Sequence, residues 1–126
     1  MHAPLTERWA LQVSASYIDT YNQADGSRLL ELPPWRITSS LDWRFSGRLR
    51  GRIDVASEGD RLDSSIPTGA VLLAPYAVAN ARLFWSLDAS DEIQASVENA
   101  LDQHHEDAIG FPSPGVTGRL SLRRRY

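Results

Sequence analysis

Apolar and polar residues alternate with a period of two along much of this chain, and the last ten residues show the alternation most clearly. One parity carries Gly118, Leu120, Leu122 and Tyr126, and the other carries Thr117, Arg119, Ser121, Arg123 and Arg125. Successive side chains of a strand point to opposite faces. The pattern therefore predicts a long strand with one apolar face and one cationic face.

Five earlier segments repeat this alternation. The predicted strands cover residues 9–17, 35–45, 48–55, 76–87, 92–99 and, last, 117–126. At roughly eight to twelve residues, most are longer than the average soluble strand of about five or six residues. A tilted strand needs about 9 to 11 residues to cross a membrane, so their length favours a transmembrane barrel.

The connections between these strands alternate between short and long. Turns at 46–47 and 88–91 are short, whereas the connections at 19–34, 57–75 and 100–116 are long. Transmembrane barrels combine short periplasmic turns with long outer loops. Residues 1–126 are therefore predicted to form an all-β, antiparallel up-and-down meander of about six long strands, a fragment of a transmembrane β-barrel. Residues before Trp9 are expected to be the remainder of another periplasmic turn.

Aromatic and charged residues agree with a barrel wall. The aromatic side chains near strand ends lie on the apolar parity, as in an interfacial belt; they are Trp9, Trp35, Trp43, Trp85 and Tyr126. Charges on the opposite parity would face a watery lumen; they are Arg36, Asp42, Arg44, Arg50, Arg52, Asp54, Arg82, Glu98, Arg119 and Arg123. Arg124 is the exception, and a lipid-facing arginine near an interface costs only about 0 to 1 kcal/mol.

Composition excludes several classes. The formal net charge of -3 argues against a general nucleic-acid binder, and the lack of cysteine excludes a disulfide framework. No apolar run approaches the roughly 18 to 20 residues of a membrane helix. Residues 1–8 lack the basic and apolar regions of a secretory signal, so a longer protein is expected if the chain works outside the cytoplasm.

Candidate chemistry is sparse. The run from His104 to Asp107 could suggest a metal site, but adjacent histidines of a strand point apart, so an ordinary loop is favoured. Arg48, Arg50 and Arg52 could bind an anionic ligand, although a solvated lumen wall is favoured. The acidic residues of 60–63 and 106–107 could contact a cation-bearing substrate, with loop solvation again favoured. No nucleophile–base arrangement or phosphate loop indicates an enzyme, and no cofactor is predicted.

The segment from Val97 to Asp102, with the residues that follow, resembles the C-terminal end of TonB-dependent outer-membrane receptors. Six residues match the family's pattern in place and spacing: Asn99, Asp102, Glu106, Gly110, Pro114 and Gly115. The region 9–21 and Leu32-Pro33 also look like the family. The chain departs from the pattern at Ala100, Leu101, His105, Val116, Arg124 and Tyr126.

The resemblance implies an active transporter in the outer membrane of a Gram-negative bacterium, for a scarce nutrient such as a siderophore- or cobalamin-type ligand. Family members have a 22-stranded barrel around a plug, so this chain would supply lumen wall, outer loops and the closing strand. That strand, through Gly118, Leu120, Leu122 and Tyr126, would carry the assembly signal. The implied partners are outer-membrane lipid, the barrel-assembly machinery, the TonB system through the plug, and a small ligand whose binding residues are not assigned.

Two alternatives remain open on the sequence. The chain could be a small soluble β-barrel or sandwich that binds an apolar ligand and buries its tryptophan-bearing face. The alanine-rich segment 77–87 could be a helix, although its strict parity argues against that. If the membrane interpretation is right, the isolated chain is expected to aggregate in water, because strand edges and an apolar face would be exposed.

Overall fold

Each segment with period-two alternation forms a strand. The structure is a computed structural model that describes residues 2–6 and 8–125, with side chains from residue 8 onward. The strands are β1 His2–Thr6, β2 Trp9–Tyr17, β3 Trp35–Arg44, β4 Leu49–Glu58, β5 Arg61–Ser65, β6 Gly69–Leu73, β7 Tyr76–Ser86, β8 Asp91–Glu98, β9 Glu106–Ala108, β10 Phe111–Pro112 and β11 Thr117–Arg124. Residues 77–87 contain no helix, so that alternative is wrong.

One antiparallel sheet contains the six predicted long strands. Its order is β1-β2-β3-β4-β7-β8-β11, and every neighbouring pair is antiparallel. The predicted meander is therefore confirmed. Across the described ranges 2–6 and 8–125, no helix is long and apolar enough to cross a membrane.

Three details differ from the sequence prediction. The residues before Trp9 are not only a turn, because β1 pairs with β2 and adds a seventh strand. The connection at 57–75 is not irregular throughout: β4 extends to Glu58, and β5 and β6 form a hairpin. The connection at 100–116 contains the small β9–β10 pair. Backbone pairing within these loops is hard to read from sequence, because short strands have weak alternation.

The strand register keeps one parity on each face of the sheet. One lateral row of paired residues is entirely apolar or glycine: Leu11, Leu41, Ile53, Ala81, Val97 and Gly118. The next row starts with Ala10 on β2 and is polar on the other five strands: Asp42, Arg52, Arg82, Ser96 and Arg119. Since a slip of one residue would exchange the two faces, this register separates an apolar face from a polar face across six strands.

Burial is inverted relative to a soluble domain. Among the described residues, Leu73 is the buried hydrophobic residue, whereas the buried polar set comprises Thr20, Ser40, Glu58, Arg61, Asp63, Ser96 and Asn99. On the apolar face, Leu120 is 76% exposed and Leu122 is 69% exposed. A soluble sandwich or barrel would bury these side chains, so the soluble alternative is not favoured.

Short turns join the long strands at one end of the sheet, here called the turn end. Ser46 Oγ accepts hydrogen bonds from the amides of Arg48 and Leu49, and Asp88 Oδ1 accepts those of Ser90 and Asp91. These side chains replace backbone partners in tight turns. The three long connections lie at the opposite, loop end.

Aromatic residues cluster on the apolar face at the turn end. Trp9 lies directly opposite Trp43 in the register, and their rings stack with centroids 6.3 Å apart. Phe45 meets Trp43 edge-on at 5.8 Å. The rings lie beside the strand ends, the arrangement predicted for an interfacial belt.

Candidate functional site

The three long connections contact one another at the loop end. The middle connection contains the β5–β6 hairpin, which lies between the other two connections. They are called loop 1 (residues 18–34), loop 2 (59–75) and loop 3 (99–116). Four consecutive residues of loop 2, from Asp60 to Asp63, hold both neighbours.

The even-numbered residues of this run bind loop 1. Arg28 Nη1 lies 2.8 Å from Asp60 Oδ2, and Arg28 Nη2 donates to the Asp60 carbonyl at 2.7 Å. The amide of Glu31 donates to the Leu62 carbonyl at 2.7 Å. The hydrogen bond from Arg28, with its positive charge, holds the pKa of the Asp60 carboxyl below its ordinary 3.8.

The odd-numbered residues bind loop 3. Arg61 Nη2 donates to the carbonyls of Glu106 and Asp107, at 2.7 and 2.5 Å. The amide of Ile109 donates to Asp63 Oδ2 at 2.8 Å. Both Arg61 and Asp63 are 6% exposed. The alternation of a strand thus lets one short segment face two loops.

A buried ion pair lies where β4 ends and β5 begins. Glu58 is 4% exposed, and its Oε1 lies 2.5 Å from Arg61 Nη1. Its other oxygen, Oε2, lies 2.8 Å from Nη2 of Arg36, whose side chain is 60% exposed. One carboxylate is therefore shared by two guanidinium groups, and the buried charges of Glu58 and Arg61 are paired with each other, as a buried charge requires.

Tyr76 completes this group from β7. The Arg61 guanidinium carbon lies 5.6 Å from the centroid of the Tyr76 ring, and the His105 ring stacks on the same tyrosine at 3.9 Å. His105 also contacts Asp107, with 3.5 Å between Nε2 and Oδ1. Among the described residues, the adjacent histidines of loop 3 included, no three His, Cys, Asp or Glu side chains are grouped to hold an ion.

A cleft of about 510 Å³ opens above this group. Ile18, Leu32 and Pro33 of loop 1 provide an apolar wall, and Asp107 and Ala108 of loop 3 lie on the other side. Arg36, Glu58, Arg61 and Tyr76 also line the cleft. It offers charged, phenolic and apolar surfaces, which suit noncovalent binding of a small molecule.

The polar face of the sheet carries its own ion-pair chain. Arg52 Nε lies 2.8 Å from Asp54 and Arg52 Nη1 lies 3.3 Å from Asp42, while Arg82 reaches Asp54 at 3.3 Å. Asp54 therefore separates two arginines that are directly opposite in the register. A depression of about 290 Å³ adjoins this chain, and its lining includes Ser14, Thr38 and Ser40.

The predicted arginine run divides between this face and a turn. Arg50 lies over the Phe84 ring at 4.2 Å and reaches Glu92 at 3.0 Å, while Arg52 belongs to the ion-pair chain. Arg48 lies in the β3–β4 turn. Paired arginines on a polar wall agree with the favoured interpretation as lumen wall.

Asn99 organises the start of loop 3. It has a positive φ of 50° and is 5% exposed. Its Nδ2 donates to the carbonyls of Gln103 and Pro114 at 3.0 and 3.1 Å, and its Oδ1 accepts from the Gln103 amide at 3.0 Å. Asn99 thereby joins both ends of the loop.

The other motif residues also lie within loop 3. Asp102 Oδ1 accepts from the Val116 amide at 3.0 Å, and a Cβ on Gly115 would lie 2.8 Å from that oxygen. Glu106 Oε2 accepts from the amide of Gly110, whose φ is +79°. The six predicted motif residues thus lie in one loop, where the side chains of Asn99, Asp102 and Glu106 bind backbone groups of that loop.

The predicted closing strand is β11. Gly118, Leu120 and Leu122 lie on its apolar side, and Tyr126 lies outside the described residues. Arg124, the exception to the charge pattern, is directly opposite Asp91 in β8 and forms two bonds with it, at 2.8 and 2.7 Å. This partner explains how a charge can stand on the apolar parity at the turn end.

Sequence reasoning missed Glu58, Arg61 and Tyr76 as members of a site. The acidic residues of the run 60–63 were considered as possible contacts of a cation-bearing substrate, with loop solvation favoured; in the structure Asp60 contacts loop 1 and Asp63 contacts loop 3. Successive residues of the run 60–63 contact loop 1 and loop 3 in turn. This pattern is a weak signal in the sequence, because it depends on which loops lie on either side of the run.

Comparison with known structures agrees with this architecture. An antiparallel sheet with an exposed apolar face, a polar face and long loops at one end has the features of a transmembrane-barrel wall. The ferric enterobactin receptor of Pseudomonas aeruginosa is 21% identical, with TM-score 0.77 over 98% of this chain and 21% of its own. The siderophore receptor PiuA of Acinetobacter baumannii is 12% identical, with TM-score 0.81 over 99% and 20%. The ferripyoverdine receptor of the outer membrane of P. aeruginosa is 14% identical, with TM-score 0.79 over 98% and 18%.

The chain therefore has the fold of part of a TonB-dependent receptor barrel, which confirms the resemblance in the sequence at the level of fold. It spans about a fifth of the length of these structures. These neighbours are receptors and not enzymes. No protein-family model and no curated protein matches the sequence.

Proposed function

We propose that this chain is part of a TonB-dependent active transporter in the outer membrane of a Gram-negative bacterium. It supplies lumen wall, outer loops and the closing strand, and the transported ligand is a scarce nutrient of the siderophore or cobalamin type. The observation that carries the proposal is the likeness over 98–99% of the chain to receptors of that kind. The exposed apolar face supports a membrane location, because the side chains of residues 8–125 leave it uncovered.

The cleft at the loop end is the proposed ligand contact of this segment. It lies between loops 1 and 3, which would face outward, and its lining includes the exposed Arg36 and the ring of Tyr76. A ligand captured there would pass to the lumen, whose wall carries the Arg52–Asp54–Arg82 chain. Transport itself would require the plug and the TonB system, so this segment acts as wall and loop support. The barrel-assembly machinery and outer-membrane lipid are its further proposed partners.

The experiment is an in-frame chromosomal deletion of the codons for residues 9–125, followed by uptake of iron-55 on a catecholate siderophore and of cobalt-57 cobalamin. We expect loss of one uptake activity, restored by the intact gene on a plasmid. Membrane fractionation of the intact protein should give an outer-membrane band. Unchanged uptake of both ligands, with the protein in the soluble fraction, would overturn the proposal.

The isolated chain provides a second test. Reconstituted alone in liposomes, the chain should carry neither ligand. Its six long strands are too few to close a barrel as wide as the 22-stranded barrel of the family. Uptake by the chain alone would contradict its assignment as one part of a larger barrel.

A further inference from the structure

The polar face of the sheet is rich in arginine at the turn end. Arg44 and Arg50 lie directly opposite each other in one lateral row. In the next row toward the turns, Glu92 lies directly opposite Arg123, and Arg48, in the β3–β4 turn, has the same parity. The arginines of these two rows are here called the turn-end arginines: Arg44, Arg48, Arg50 and Arg123. The side chains of all four are exposed.

A second pair of arginines on the same face shows what the turn-end arginines lack. Arg52 and Arg82 are also directly opposite in the register, but Asp54 contacts both of them, at 2.8 and 3.3 Å. In the pair formed by Arg44 and Arg50, the second arginine reaches a carboxylate on β8 at 3.0 Å, and the first forms no ion pair with a described residue. Like charges that lie directly opposite each other destabilise a sheet. The repulsion between these two arginines is therefore not relieved by a shared carboxylate of the described residues.

Within these two rows, the described residues provide one carboxylate, that of Glu92, and it is already engaged. Its Oε2 lies 3.0 Å from Nη2 of Arg50, and the Glu92 side chain is 16% exposed. Arg48 and Arg123 form no ion pair within the described ranges. Four guanidinium groups against one carboxylate leave three positive charges without a partner of opposite charge on this part of the face.

The turn-end arginines are spread across the face of the sheet. Arg44 lies on β3 and Arg123 on β11, which are four strand spacings apart in the sheet order. At about 4.8 Å per spacing, the set extends over about 19 Å. A small anion could bridge neighbouring strands only, whereas a polypeptide segment could contact all of these strands. The charge and the extent of the surface together favour an acidic polypeptide as its partner.

We propose that the turn-end arginines bind an acidic polypeptide segment that lies across the polar face. Guanidinium groups and carboxylates form paired, charge-assisted hydrogen bonds. An aspartate or glutamate of that segment would lie between Arg44 and Arg50, as a carboxylate of β4 does for the other arginine pair. The segment would belong to the longer protein, outside residues 1–126. The inference rests on the proposed function, because the polar face lines a lumen, where such a segment can lie, if the sheet is part of a barrel wall.

The test introduces an amine into the complete outer-membrane protein that contains this chain, purified in detergent. Arg44→Lys keeps the positive charge, and residues 1–126 contain no lysine, so the new amine is unique in this segment. A carbodiimide couples an amine to a carboxylate that is in direct contact with it, and mass spectrometry of the peptides identifies the two linked residues. We expect an amide link from position 44 to an aspartate or glutamate outside residues 1–126. The link should be lost when the coupling is done at about 1 M salt, which screens exposed charges.

Arg52→Lys is the matched control, on the same strand pair and the same face. Arg52 lies 2.8 Å from Asp54 and 3.3 Å from Asp42, so an amine at position 52 should couple within the chain. If Arg52→Lys couples in this way while Arg44→Lys couples to nothing, or only to residues 1–126, the inference is overturned.

Two further outcomes separate the alternatives. If inorganic phosphate abolishes the link from position 44 at constant ionic strength, the arginines form a site for a small anion, which also overturns the inference. Outer-membrane fractionation distinguishes failure of this inference from failure of the proposed function. A protein found in the outer membrane without the link contradicts only the acidic segment, whereas a soluble protein contradicts the proposed function.

Discussion

The indole of Trp43 lies across Gly51, its register partner on β4, so closely that a Cβ at Gly51 would stand 2.3 Å from the ring. Trp9 stacks on Trp43 and Phe45 meets its edge, so the ring has neighbours on several sides. The absence of a side chain at Gly51 is therefore what allows the aromatic cluster to lie flat against the sheet.

Gly51→Ala should destabilise the folded protein by about 1 to 3 kcal/mol, the usual cost of overpacking. Urea titration in detergent, followed by tryptophan fluorescence, measures this change. Gly118→Ala is the control, because a Cβ added there meets no described heavy atom within 4 Å apart from its immediate chain neighbours. Equal midpoints for the two variants would show that Trp43 moves aside without cost.

Arg61→Gln should release loop 3 from the hairpin. The substitution breaks a buried ion pair and removes the donor to two carbonyls, and we expect a loss of about 3 kcal/mol. This is the low end of the usual range, because Arg36 still neutralises Glu58. Hydrogen exchange of the loop 3 amides should accelerate, while the amides of loop 1 should change little, because that loop is held separately by the Arg28–Asp60 contact and the bond from the Glu31 amide to Leu62.

Arg36→Gln is the matched control for that experiment. It removes the second partner of the same Glu58, but the Arg36 side chain is 60% exposed, so a loss of only about 0 to 1 kcal/mol is expected. If both variants loosened loop 3 equally, the carbonyl contacts of Arg61 would not be what holds that loop.

The contact between loops 1 and 2 should weaken in acid. The hydrogen bond from Arg28 keeps the pKa of Asp60 below 3.8, so the folded state binds the proton less readily than the unfolded state. The stabilising contribution is then present above pH 3.8 and is lost as the pH falls through the lower folded value. Carboxyl-carbon NMR of Asp60 should report this midpoint.

Asp60→Asn should abolish that pH dependence of loop 1. Asp25→Asn is the comparison, because the pKa of Asp25 is also lowered but by Ser27 within the same loop tip. A response of the Arg28 contact to Asp25→Asn would contradict the assignment of the pH dependence to Asp60.

Substitutions at Asn99 should separate backbone strain from hydrogen bonding. Asn99→Gly relieves the positive φ but removes three side-chain bonds, whereas Asn99→Asp keeps the acceptor and turns an oxygen toward two carbonyls. We expect losses of about 1 to 3 kcal/mol, with the aspartate variant less stable than the glycine variant. Hydrogen exchange at the Gln103 amide and the unfolding midpoint measure the relative stability of the two variants. If the glycine variant were the less stable of the two, the repulsion expected between the introduced carboxylate and the two carbonyls would not be the larger effect.

The sequence by itself determined the long strands and their two faces. The alternation at 9–17 and 117–126 requires only that neighbouring side chains point apart, a local property of an extended backbone. The turn signals at 46–47 and 88–91 are local as well, and together these patterns predicted the antiparallel order. The resemblance at Asn99 and its neighbours indicated loop 3 as a unit without showing which bonds hold it.

Tertiary structure alone decided which charges meet. The Arg124–Asp91 pair, the Arg61 contacts with loop 3 and the Arg28–Asp60 contact join residues 33, 45 and 32 positions apart, respectively. Such pairings depend on strand register and on which loops stand side by side, and these are set by the whole sheet and not by any local segment. The last strand could be recognised from its alternation alone. The pairing of Arg124, the arginine on its apolar parity, with Asp91 is seen only in the folded chain.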